Sequence, residues 1–131
     1  MTVARPISEP DATTRPWWEA TRQKILLVQR CDACEAFQHY PRAVCTSCGL
    51  AEGFRFEEAS GGGTIYSFTI VHRSPHEAFD APYVVALVRL DEGPTLMTNI
   101  VAGEPRCDAR VKLTWAPLHD GRNLPTFEME T

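Results

Sequence analysis

The sequence predicts a mainly β protein: an N-terminal helix, a cysteine-bearing metal ribbon, then a five-stranded closed β-barrel. Three observations carry that reading. Four of the five cysteines fall into two C-x2-C pairs within CDACEAFQHYPRAVCTSCG. Short apolar runs, several with period-2 alternation, recur from Thr64 onward with turn residues between them. Helix-start chemistry is confined to one stretch, TTRPWWEATRQKI.

Residues 1–13 are polar and proline-bearing, which predicts a flexible leader without the apolar core of a signal peptide. Residues 14–28 form the predicted helical segment, with threonines for an N-cap, Pro16 in the first turn and Glu19 behind it. Trp17 and Trp18 are conspicuous on so short an element. They either close over the chain's own core or anchor a partner protein, because aromatic residues are enriched at interface hot spots.

Residues 29–59 are the predicted ribbon. The run ILLV enters the first cysteine pair, and FRFEEA returns as a strand after the second. Each C-x2-C turn presents two thiolates, so Cys31, Cys34, Cys45 and Cys48 complete a tetrahedral sulfur cage. Zn²⁺ suits that cage, with Zn–S bonds of about 2.3 Å; iron uses the same spacing and stays open on these grounds. Gly49 fits a knuckle turn that needs a positive φ. Disulfides are disfavoured in a chain without a secretory leader. Four thiolates fill the tetrahedron, which makes the metal structural and closes the Lewis-acid route. The same count leaves no ligand role for His39, and nothing around Cys107 points to a reactive thiol. With so little apolar surface, the ribbon is expected to draw its stability from the metal.

Residues 60–131 are the predicted barrel. Gly61, Gly62 and Gly63 mark a bend rather than a phosphate loop, since a strand follows and no P-loop lysine is present. TIYSFTIVHR places Tyr66, Phe68 and Ile70 on one face, read as core. YVVALVRL reads as a strand buried on both faces. TLMTNIV alternates, VKLTW groups Val111, Leu113 and Trp115, and FEME closes the series. Five strands without an intervening helix predict a small barrel of the OB-fold kind.

Composition bounds the function. A formal charge of −4 argues against a general phosphate-backbone binder. No apolar run approaches the ~20 residues of a membrane span. The chain is therefore read as a soluble, cytoplasmic protein.

The ordered series PWWEA, LLVQRCDAC, YPRAVCTSCG, EASGGGTIYSFTIVHR and APYVVALVRLDEGPTLMTNIV resembles the OB-fold, acyl-CoA-associated zinc-ribbon proteins, over about Pro16 to Phe127. The resemblance implies a helix, a rubredoxin-like zinc ribbon and a C-terminal OB-fold barrel, with Cys31, Cys34, Cys45 and Cys48 as the metal ligands. It also implies partnership with thiolase-superfamily enzymes, including lipid-transfer-type thiolases and aldolases of steroid or fatty acyl side-chain degradation, or with hotdog-fold hydratases. In such assemblies the partner carries the chemistry, and the zinc-ribbon subunit helps bind the acyl-CoA thioester, supports the partner or channels substrate. One stretch departs from the pattern. Where members carry a glycine-containing turn before the fourth barrel strand, this chain has Cys107, Asp108 and Ala109.

Three functions are weighed on these residues. The first is a non-catalytic accessory subunit, docked through Trp17 and Trp18, with His72, Arg73 and His76 of the loop HRSPHEAFDAPY near an OB-fold's usual binding surface. Arg73 would meet a CoA phosphate through a charge-assisted pair. The second is single-stranded nucleic-acid binding, disfavoured because the barrel half from Ser60 holds six Lys or Arg against nine Asp or Glu. The third is independent catalysis by His72, His76, His119, Asp80 or Asp120, none of which falls in a recognisable catalytic motif.

Overall fold

A computed structural model describes residues 5–130. The elements run α1 (Arg15–Thr21), β1 (Leu27–Cys31), β2 (Phe37–Gln38), β3 (Phe54–Glu58), β4 (Gly62–Val71), β5 (Tyr83–Leu90), β6 (Thr95–Ala102), β7 (Arg110–Pro117) and β8 (Asn123–Met129). The first three strands form a small antiparallel sheet in the order β2-β1-β3. The last five close into a barrel, β4-β5-β6-β8-β7, sealed by β7 against β4. All pairings in the barrel are antiparallel except β6 with β8. Among the described residues no helix is long and apolar enough to cross a membrane.

Of the leader expected over 1–13, residues 1–4 lie outside the described residues, and Arg5–Ser8 line a groove beside the barrel. The helix is shorter than the segment expected over 14–28. The chain turns at Lys24, at a φ of 59°, and is a strand from Leu27. Its N-terminus is also built differently. Thr14 makes no side-chain cap; Asp11 instead accepts the N–H groups of Thr13 and Thr14 at 2.9 and 2.8 Å.

Inside the barrel, Ile65, Ala86, Val88, Leu90, Leu96, Ile100, Val111 and Phe127 are buried, one face of each strand in turn. Trp17, Leu26, Val28 and Ala59 continue the same cluster, so helix and ribbon root are one core with the barrel. Two hydrogen bonds across 102 residues tie α1 to β8: Asn123 donates its backbone N–H to the Thr21 hydroxyl and its amide to the Thr21 carbonyl.

Two strand expectations need correction. Tyr66 is 58% exposed and Ile70 is also exposed, while Ile65 is fully buried. For Tyr66 the cause is a bulge, whereas Phe68 packs against the core as expected. Ile65 pairs with Val88 and Ser67 with Leu87, so Tyr66 is an extra residue that shifts the inward set. Tyr66 points outward beneath Arg89, whose guanidinium sits 4.8 Å from the ring centroid. The strand YVVALVRL is not buried on both faces. Ala86, Val88 and Leu90 face the core, Arg89 is exposed, and the apolar row Tyr83, Val85 and Leu87 is half-buried on the outer side.

At the GGG bend only Gly61 has a positive φ, of 92°. Gly63 is required for another reason. A Cβ there would lie 2.6 Å from Val88 Cγ1 and 2.9 Å from the Arg89 carbonyl, so β4 and β5 approach too closely for a side chain. In the departing turn, Asp108 takes a φ of 66°, a left-handed conformation that Asp tolerates better than most residues. Its N–H reaches the Ile65 carbonyl at 2.8 Å, so the turn keeps its place without glycine.

His39 is half-buried between Trp17 and Tyr40, with ring centroids 5.5 and 4.0 Å away. Burial, and then the nearby Arg42 charge, push its pKa from 6.5 down to about 4. The unfolded chain therefore binds the proton more readily, and folding stability is lost as pH falls from about 6.5 toward 4. Replacing His39 with Phe is expected to flatten that part of the denaturation-versus-pH curve relative to the native chain. An unchanged slope would remove His39 from the account.

Candidate metal centre

The two C-x2-C segments fold into matching knuckles. In the first, the Cys31 N–H donates to Ala36 O and the Glu35 N–H to Cys31 O, at 2.9 and 2.8 Å. In the second, Cys45 N–H donates to Leu50 O and Gly49 N–H to Cys45 O, at 2.8 and 2.9 Å. The fifth residue of each knuckle turns left-handed. It is Gly49, with φ 81°, in the second and Glu35, with φ 64°, in the first. The sequence flagged only Gly49, because a glutamate carries no such signal.

These turns bring the four Sγ atoms of Cys31, Cys34, Cys45 and Cys48 within 4.8 Å of one another. Cys31–Cys48 and Cys34–Cys45 stand 3.7 and 3.6 Å apart. That is well beyond a disulfide's ~2.05 Å. It is close to the edge of a tetrahedron with metal–sulfur bonds of about 2.3 Å, roughly 3.8 Å. The donor set therefore fits a tetrahedral thiolate-bound ion, and His39 is not part of it.

Electrostatics favour a cation here. Backbone N–H groups of Cys48 and Ser47 bond Cys45 Sγ and, with the neighbouring thiols, lower that thiol to about 6. The Ala36 N–H favours the Cys34 thiolate too. Desolvation and the thiols of Cys45, Cys31 and Cys48 outweigh it and push Cys34 up to about 12. The neighbouring thiols thus favour the Cys45 thiolate and oppose those of Cys34 and Cys48, an opposition that a cation between the sulfurs would relieve. Metal binding must release protons.

A buried amide pair that the sequence reading missed positions the loop between the knuckles. Gln29 and Gln38 face each other across β1 and β2, and both are buried. Gln29 accepts the Arg42 N–H and donates to the Arg42 carbonyl, each at 2.9 Å. Gln38 donates to Gln29 Oε1, and its own Oε1 accepts the Thr46 N–H at 3.1 Å, one residue from Cys45. Gln38→Leu would take the acceptor from the Thr46 N–H and one of two donors from Gln29 Oε1, at about 1–3 kcal/mol in all. Zinc affinity should fall about 10-fold or more, as for other groups that orient metal ligands. Competition with a chromophoric chelator measures it, and an unchanged affinity would sink the positioning role.

The other predicted site residues do not gather here. His72, Arg73 and His76 are exposed on the β4–β5 loop. His76 Nδ1 accepts the Ala78 N–H at 2.9 Å, and the Ser74 hydroxyl bonds the His76 carbonyl, so the loop is folded on itself. The tryptophans divide. Trp17 is 5% exposed and its indole N–H donates to Leu27 O at 2.9 Å, so it closes the chain's own core instead of anchoring a partner. Trp18 is half-buried, stacked edge-on to Trp17 at 4.7 Å, with Arg122 over its ring at 4.6 Å. Asp120 is committed to the Arg122 guanidinium at 2.6 Å, and Cys107 is exposed and outside the cage.

Comparisons with known proteins agree with this geometry. Residues 18–54 match the family model described as ChsH2, rubredoxin-like zinc ribbon domain, and residues 56–116 that of the ChsH2 C-terminal OB-fold domain. A solved structure described as an Ltp2-ChsH2(DUF35) aldolase contains a chain similar over 95% of this one and 98% of its own length. The two share 38% identity, with a TM-score of 0.84. A DUF35 domain-containing scaffold protein of Methanothermobacter thermautotrophicus is 33% identical over 97 residues, 71% of each chain. A probable enoyl-CoA hydratase alpha subunit of Thermomonospora curvata is 41% identical over 114 residues. The match covers 85% of this chain but only 35% of the hydratase subunit.

Proposed function

This chain belongs to the ChsH2 (DUF35) family of zinc-ribbon and OB-fold proteins, and we propose that it is a non-catalytic accessory subunit of an enzyme acting on acyl-CoA thioesters. The partner proposed is a thiolase-superfamily enzyme, and the ion in the cage is zinc. The observation that carries this reading is the full-length likeness to a chain of the Ltp2-ChsH2(DUF35) aldolase. The scaffold name of the archaeal relative and the acyl-CoA chemistry named for the bacterial one support it. The chain's own residues are consistent with it. Cys31, Cys34, Cys45 and Cys48 would hold zinc with all four positions taken, so the ion supplies rigidity and no reactive water. Trp18 stays half-exposed on the helix that opens the fold, where it serves as the docking contact in this proposal. Arg73, exposed on its loop, serves as a contact for a CoA phosphate.

Affinity capture of the tagged protein from its host, read by mass spectrometry, tests the reading. A thiolase-superfamily enzyme at near-equal abundance is expected. Trp18→Ala is expected to weaken its retention by about 2 kcal/mol or more, as hot-spot truncations do, while destabilising the fold less than Trp17→Ala does. Recovery of the chain alone, or with nucleic acid, would overturn it. The purified protein should be colourless; a visible thiolate-to-iron absorbance would replace zinc with iron.

A further inference from the structure

A cavity away from the cage is lined by none of the three residues expected to meet CoA. It is a half-open groove of about 760 Å³. Its lining includes Val85, Met97 and Val101 of β5 and β6, Trp18 of α1, Tyr40, and Phe79 of the β4–β5 loop. Its volume is within the roughly 300–1,000 Å³ usual for small-molecule sites, and its lining is mostly apolar, as such sites are. Met97 and Val101 are 59% and 56% exposed, so nothing among the described residues covers them.

The charges on the lining say what the groove would accept. It holds one cation, Arg5, and one carboxylate, Asp80. The Arg5 guanidinium lies over the Phe79 ring, 5.1 Å from its centroid. The lining is thus neutral in sum, and nothing buried in it is arranged to hold a charged ligand group. Aromatic and proline walls with no net charge complement an uncharged, apolar group.

The segment Arg5–Ser8 borders the same groove. Ile7 is half-buried there, and among the described residues no hydrogen bond fastens Arg5–Ser8 to the rest of the chain. The contact that holds it is the Arg5 guanidinium over the Phe79 ring.

We propose that this groove binds an uncharged apolar group, an alkyl chain or fused ring, under a displaceable strap formed by Arg5–Ser8, with any charged head group left outside. That the group is the acyl part of a thioester rests on the function proposed above; the site itself does not.

The test uses the zinc-loaded full chain and the neutral dye Nile red, followed by fluorescence titration with decanoyl-CoA or CoA alone as competitor. Saturable one-to-one binding is expected, displaced by decanoyl-CoA and not by CoA. Met97→Asp, a change at an exposed position that puts a charge on the wall, should weaken dye binding at least about 10-fold. Val85→Trp, which fills the groove, should do the same. Arg5→Ala should speed dye association severalfold in stopped flow. Absence of a saturable site, native-like binding by both wall variants, or displacement by CoA alone would overturn the site. An unchanged association rate in Arg5→Ala would overturn the strap. Partner capture is read separately. Capture without dye binding defeats this inference and leaves the accessory role, whereas dye binding without capture does the reverse.

Discussion

Removing the metal is expected to melt the ribbon and leave the barrel folded. Between Arg30 and Phe54 the described core residues are chiefly Cys31, Gln38, Pro41 and Cys45, and the only strand wholly inside that span is the two-residue β2. Such a segment has little apolar burial to set against its conformational entropy, about 1–2 kcal/mol per residue for the backbone alone. Thiolate-bound zinc supplies about 10–16 kcal/mol in small metal domains, as much as the whole stability of an ordinary domain. Chelation, or Cys45→Ser, should produce an early unfolding step read by hydrogen exchange over residues 30–54, with the β-signal of the barrel retained in circular dichroism. The boundary should fall near Gln29, because Leu26 and Val28 belong to the barrel's own core cluster. A single transition indifferent to chelator would refute this division.

Trp17→Ala is the point substitution expected to cost most among the site residues. Trp17 packs with Leu26, Val28 and Ala59, stacks on Trp18 and His39, and supplies the donor for the Leu27 carbonyl. Truncating a buried aromatic costs about 3–5 kcal/mol, and the orphaned carbonyl adds to that. Urea denaturation should show a lowered midpoint with an unchanged m-value. Trp17→Phe should recover part of the loss, since it restores the ring but not the N–H. A Trp17→Ala chain as stable as Trp18→Ala would mean that the two adjacent tryptophans do not divide between core and surface.

The parts of this protein that were legible in its sequence are those built by local geometry. A C-x2-C turn brings its two thiolates together whatever surrounds it, so the cage could be named from spacing, and Gly49 from the handedness its turn demands. The barrel strands followed from alternation, and Gly93, Gly103 and Gly121 all turn at positive φ between them. Asp108 shows where such reading thins: it holds a left-handed turn without being glycine.

What only the tertiary structure decided is set by contacts between distant segments. Trp17 and Trp18 are equivalent as letters, and their division depends on Leu27, His39 and Arg122 arriving around them. The bulge at Tyr66 takes that residue out of an alternation that looked regular, because it is defined by pairing with Val88 and Leu87 rather than by β4 alone. The Gln29–Gln38 pair exists only once β1 and β2 are in register. The groove is assembled from Arg5–Ser8, α1, Tyr40 and Pro41, the β4–β5 loop and four strands of the barrel. Spacing along a chain fixes what neighbours do to each other. The shape of a cavity, and which of two tryptophans is buried, depend on which remote surfaces close over them.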